Sequence, residues 1–171
     1  ERTRHNMGYR VLDEIARRCR SEIVYYEKAY EALMAEVGLA GERVLLCRRA
    51  IQPRRDYWTL PAGFMENGET TLEGARRETW EEARARVEGE SLYTIFDLPH
   101  ISQVYMFYLA RLSAPEFAAG PESLEVALFD EDAIPWGELA FPVVNATLKR
   151  FFADRRRGVF PVHNATLRPG D

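Results

Sequence analysis

The sequence predicts an α/β domain of ordinary size that carries a helical extension at its N-terminus. Three observations lead there. Between residues 44 and 129, short runs rich in Val, Leu, Ile, Tyr and Phe recur with turn residues between them, as strands do. The segments 11–23, 70–84 and 143–156 instead repeat their apolar residues at helical spacing. At 171 residues and 46% hydrophobic content, the chain is long and apolar enough to bury a real core and is not a disordered tract.

The bulk properties exclude several function classes. A net charge of −4 gives no global attraction for nucleic acid or an anionic membrane, so neither is expected as a partner. Two cysteines, Cys19 and Cys47, cannot build a disulfide framework or a four-cysteine zinc site, and both read as reduced structural residues. With no signal-peptide pattern and no apolar run long enough to span a bilayer, the expected location is the cytoplasm. No internal repeat, low-complexity tract or interdomain linker interrupts the chain.

In chain order, Leu12, Ile15, Ala16, Cys19 and Ile23 predict an N-terminal amphipathic helix. Residues 25–39 are ambiguous by composition, because their Ala, Leu and Glu favour helix. Gly41-Glu42 reads as a turn, and Val44 to Cys47 as a buried strand. Arg48, Arg49, Arg54 and Arg55 then crowd around Pro53; their forks suit phosphate oxygens, though a solvated loop explains them equally well. Tyr57 to Leu60 reads as a short strand leading into Pro61-Ala62-Gly63. Further on, Leu92–Leu98 and Ile101–Leu112 predict two strands joined at Pro99-His100. His100 and Gln103 read as turn residues more readily than as substrate contacts. Gly120-Pro121 opens the loop GPESLE, and Val126–Phe129 forms another strand. An amphipathic helix over residues 143–156 turns Val144, Leu148, Phe151 and Phe152 inward, with Arg155, Arg156 and Arg157 suited to its negative end. A tail follows, in which VFPV (159–162) is placed as a strand edge.

The chemistry concentrates between Gly63 and Ala85. Thr70 followed by Glu73 has capping-box spacing and sets a helix start. On that helix Leu72, Ala75, Thr79 and Ala83 share one face, with Trp80 at its edge. Glu78, Glu81 and Glu82 share another arc about 100° wide. Carboxylates so close repel one another, and a hard divalent cation is the simplest partner to hold them. Arg77 stands four residues from both Glu73 and Glu81, which makes it a brace for these carboxylates.

This segment resembles the Nudix box: G, five residues, E, seven residues, R-E, an aliphatic, any residue, E-E. Gly63, Glu69, Arg77, Glu78, Glu81 and Glu82 all fall on that pattern. Thr79 replaces the usual larger aliphatic. Arg84 replaces a glycine that ordinarily ends the helix in a left-handed conformation, so either the helix runs on to about Glu88–Gly89 or Arg84 is strained. Outside the box, LLCRRA, WTLPAGFMENGET, DLPHISQVYMF, PESLE and IPWGELAF are similar to the branch that includes bacterial zinc-ribbon Nudix hydrolases and plant FAD pyrophosphatases.

The resemblance implies a Nudix α/β/α sandwich with a mixed sheet over residues 26–171 and its first strand within Leu33–Val37; the helical extension over residues 1–25 rests on the spacing of its apolar residues and has no counterpart in the resemblance. It implies Mg2+ or Mn2+ held by Gly63, Glu78, Glu81 and Glu82, and a homodimer. Glu122 and Glu125 become candidates for a further ligand or general base beside Glu81, Glu82 and Arg77. Arg48, Arg49, Arg55 and Tyr57 become candidates for gripping the nucleotide. The paired CxxC motifs of the zinc-ribbon relatives are missing, so no structural zinc is expected. The implied activity is hydrolysis of the diphosphate in FAD, ADP-ribose or NADH. A nucleoside triphosphate house-cleaning pyrophosphatase and a non-catalytic nucleotide-binding regulator are the alternatives.

Overall fold

A computed structural model describes the backbone of residues 28–37 and 43–170 and the side chains of residues 43–170. The expected helix over residues 11–23 and the turn at Gly41-Glu42 lie outside the described residues. The strands are β1 (Lys28–Val37), β2 (Arg43–Arg49), β3 (Trp58–Thr59), β4 (Ala62–Phe64), β5 (Val87–Leu98), β6 (Gln103–Leu112), β7 (Ser123–Phe129) and β8 (His163–Thr166). The helices are α1 (Thr71–Ala83) and α2 (Pro142–Arg157).

One mixed sheet runs β3-β2-β1-β6-β5-β8, with β4 added to β1 and β7 to β2. The β1–β6 and β5–β8 pairs are parallel and the others antiparallel. Strand β2 shows why this is a sandwich. Val44 and Leu46 enter one core with Phe107, Leu148, Phe151 and Phe152, under α2. Leu45 and Cys47 enter a second core with Ala75, Ala83 and Tyr108, under α1. A strand buried on both faces reads as an unbroken apolar run rather than an alternation, as Val44 to Cys47 does.

Strand β1 replaces what composition alone would make a helix. It lies inside the sheet with β2 and β4 on one side and β6 on the other, and it pairs with β6 from Lys28↔Gln103 to Glu36↔Arg111. A ladder that long outweighs propensity differences of a few tenths of a kcal/mol per residue.

Of the two alternatives at the end of the box helix, the structure takes the second: the helix stops at Ala83 rather than running on to Glu88–Gly89, and Arg84 turns left-handed at φ 49° and ψ 25°. The chain then enters β5 at Val87, five residues before Leu92, through bulges that absorb Gly89 at φ 67°. The C-terminal edge strand is not VFPV. Pro161 has no N–H to give a ladder, and the pairing begins beyond it, with His163 opposite Thr94.

Candidate active site

Helix α1 starts as its sequence requires. Thr70 Oγ1 accepts from Glu73 N (3.3 Å) while Glu73 Oε2 accepts from Thr70 N (2.7 Å). That reciprocal cap employs Glu73, one of the two partners the spacing offered to Arg77. Arg77 turns instead to Glu69, donating from Nε (3.1 Å) and Nη2 (2.8 Å) in a two-pronged pair. Its Nη1 also donates to Glu78 Oε1 (2.7 Å) and Glu81 Oε2 (3.2 Å), and its Nη2 to the Phe64 carbonyl (3.0 Å). One guanidinium therefore ties the loop after Gly63 to the acidic face of the helix.

Gly63 has a steric reason to be glycine. A Cβ there would collide with the Glu78 carboxylate. Next to it, Ala62 N donates to Glu82 Oε2 at 3.1 Å. Glu82 is 4% exposed. Burial pushes its pKa up to about 8; the Ala62 N–H opposes that, Glu78 and Glu122 add repulsion, and Arg49 offsets part of it. Burial also raises Glu78, against the pull of Arg77. Carboxylates that destabilise one another's charged forms suit a multivalent cation. Among the described residues, no three Asp, Glu, His or Cys side chains converge to hold an ion as they stand; Arg77 draws Glu78 and Glu81 toward itself. The donor chemistry, all carboxylate and carbonyl oxygen, fits a hard cation such as Mg2+.

The far end of α1 is closed by the loop that follows β6. Ala118 N donates to Ala83 O and Gly120 N to Glu82 O, both at 2.9 Å. A Cβ on Gly120 would run into the Glu81 carbonyl. The close-approach glycine that the box lacks at Arg84 thus has a counterpart at Gly120, which satisfies terminal carbonyls that a helix otherwise leaves unpaired. Arg84 itself lies over the Trp80 ring at 5.6 Å. The same loop delivers Glu122 beside the acidic face.

These groups line one end of a cleft of about 810 Å³. It brings together Arg49, Gly63, Arg77, Glu78, Glu81, Glu82 and Glu122. Arg48, Arg55, Tyr57 and Glu125 are not on its lining. Arg48 and Arg49 are separated by a bulge at which Arg48 faces Glu125 and Arg49 faces Ser123. Arg48 donates to Asp56 O (3.1 Å) and lies 3.9 Å from Glu125. Tyr57 stacks under Arg54 at 5.2 Å. Arg49 Nε donates to Pro53 O (2.9 Å), and its guanidinium lies 5.2 Å over the Phe141 ring.

On the far side of β1 from Gly63, where β6, β5 and β8 follow one another in the sheet, the cleft also carries Leu98, His100, Ile101, Gln103, Leu167 and Arg168. Sequence reading set His100 and Gln103 aside as turn residues, and the tail residues Leu167 and Arg168 carry no motif. Their signal is topological: they meet only once β5, β6 and β8 are paired.

The NUDIX domain family model matches residues 34–153. The chain belongs to the Nudix family. Over most of its length this Nudix chain is similar to a solved NUDIX hydrolase from Nitrosomonas europaea, at 47% identity and a TM-score of 0.79, covering 87% of this chain and 84% of that one. It is 36% identical over 98 residues to the human 8-oxo-dGDP phosphatase NUDT18, covering 55% of this chain and 30% of that protein. It is 30% identical over 105 residues to the ADP-ribose pyrophosphatase of Methanocaldococcus jannaschii, covering 58% of this chain and 60% of that protein. The chain therefore spans less than two thirds of the length of either curated relative. No helix among the described residues is long and apolar enough to cross a membrane.

Proposed function

We propose that this Nudix chain is a divalent-metal-dependent pyrophosphatase that hydrolyses the diphosphate of an ADP-sugar or dinucleotide (ADP-ribose, FAD or NADH), giving AMP and a second phosphomonoester. The observation that carries the proposal is the polarity of the cleft. Five carboxylates, Glu66, Glu78, Glu81, Glu82 and Glu122, are on its lining, and the remaining wall is largely apolar, including Leu98, Tyr105, Phe107 and Val143. A cleft of about 810 Å³ is wide for one nucleotide and suits a substrate with groups on both sides of a diphosphate.

Glu78, Glu81 and Glu82, with the Gly63 carbonyl, would hold Mg2+ or Mn2+. Such a cation supplies neutralisation of the phosphate charge and makes an attacking water more acidic. The protein groups do the rest. Glu82 is fixed by Ala62 N–H, and Arg77 holds Glu78 and Glu81 in register with the Gly63 turn. Glu122, exposed and on the cleft lining, would accept the proton of the water. Arg49 offers its fork to a phosphate oxygen. Homodimer formation remains an expectation from the resemblance, and a cytoplasmic location one from the sequence.

Similarity to a relative named for 8-oxo-dGDP favours one second reading, cleavage of a free nucleoside phosphate. Chromatography of products from ADP-ribose, FAD, NADH and dGTP with Mg2+ decides. AMP with ribose 5-phosphate, FMN or the nicotinamide mononucleotide supports the proposal, whereas turnover of dGTP alone replaces it with the second reading.

A further inference from the structure

The chain beyond α2 returns to the cleft. It leaves the helix at Gly158 in a left-handed turn (φ 69°) and forms β8 along β5. Thr166 lies opposite Asp97, and Leu167 N donates to Asp97 O at 2.9 Å. Leu167 therefore follows to the level of Leu98, and Arg168 comes next, beside the start of the Pro99–Ile101 turn. Leu98 pairs with Gln103 on β6, and the Pro99–Ile101 turn places His100 at the same sheet end. All of these residues line the cleft.

The strap is anchored from three elements. Asp154 of α2 accepts from Tyr93 Oη of β5 (2.9 Å) and bonds the His163 ring of β8. Phe160 stacks on Phe151 at 5.8 Å. The register that brings Arg168 to the cleft is thus fixed by buried contacts. Residues 154–170 also lie beyond the 34–153 that the family model matches, so family membership does not assign them a role.

We propose that Arg168, with His100 and Gln103, forms a subsite for the terminal sugar of a nucleoside-diphosphate sugar bound with its diphosphate at the carboxylate end. This rests on the diphosphate reading above and specifies where the second half of the substrate goes. The chemistry is asymmetric in the required way. A guanidinium presents five donors and no acceptor, and an amide presents both, so the set suits the oxygens of a hydroxyl-rich ring. Between it and the carboxylates, β6 and the end of β5 contribute Leu98, Phe107 and the ring of Tyr105, a stretch with no charged side chain for a phosphate. A mononucleotide at the carboxylate end has no group that spans this stretch.

The test is calorimetric binding of ADP-ribose and of AMP to wild type and Arg168→Ala. AMP lacks the second half and reports only on the shared part of the site. Loss of one charge-assisted hydrogen bond corresponds to about tenfold in affinity, so the ratio of the ADP-ribose Kd to the AMP Kd should rise about tenfold in the variant. Equal changes for both ligands, no change for either, or no ADP-ribose binding by wild type would overturn the subsite. Failure of the diphosphate reading is seen separately, as absence of AMP among wild-type products.

Discussion

The two ends of the cleft are built by opposite means. The carboxylate end comes mainly from one short stretch, Gly63 to Glu82, drawn together by a single guanidinium and a backbone N–H. The sugar end is assembled from a β-turn, a strand and a C-terminal strap far apart in the chain, joined by ladder bonds and the Asp154 contacts. The first holds charges against their own repulsion. The second holds one guanidinium and two uncharged or weakly basic side chains in place by topology. This division lets chemistry and substrate choice change independently: a substitution at one end need not disturb the other.

The largest expected effect breaks the carboxylate end alone. Glu82→Gln keeps the shape and the Ala62 N–H contact but removes a charge, and turnover should fall about 10³-fold, equivalent to about 4 kcal/mol of barrier. Steady-state kinetics would check this, and the preference for ADP-ribose over dGTP should persist in the residual activity. A smaller effect is expected at Gly120, where the closing loop meets α1. Gly120→Ala should cost about 2 kcal/mol of stability, because the new Cβ meets the Glu81 carbonyl backbone rather than a flexible side-chain tip. Urea denaturation measures it; an unchanged midpoint would mean that the loop does not clamp the helix. The Arg168→Ala ratio completes the series at the sugar end.

The same contrast explains what the sequence disclosed. The carboxylate end was legible because its cap, brace and acidic arc are all local: Thr70–Glu73, Arg77 and Glu78/Glu81/Glu82 depend on helical spacing that residue numbers reveal directly. The α2 helix was legible for the same reason. Strand β1 was legible only through the resemblance, which set a strand within Leu33–Val37, because its Ala, Glu and Met content favours helix and only the flanking ladders override it. The start of β5 was hidden because Glu88–Gly89 reads as an end of the box helix, whereas the glycine is absorbed by a bulge. The sugar end was hidden altogether: His100, Gln103 and Arg168 share no spacing, and β8 (HNAT) has no apolar alternation to announce a strand. Gly120 was read as the start of a loop, since its close contact with Glu81 exists only in the folded chain.

The most direct test of the central claim is metal removal. Wild-type protein would be incubated with ADP-ribose after exhaustive chelation and then with added Mg2+ or Mn2+, and AMP would be followed by chromatography. The account predicts that AMP formation stops on chelation and returns with either cation, because without one nothing at Glu78, Glu81 and Glu82 neutralises the phosphate charge or makes the attacking water more acidic. Undiminished AMP formation after chelation would contradict it.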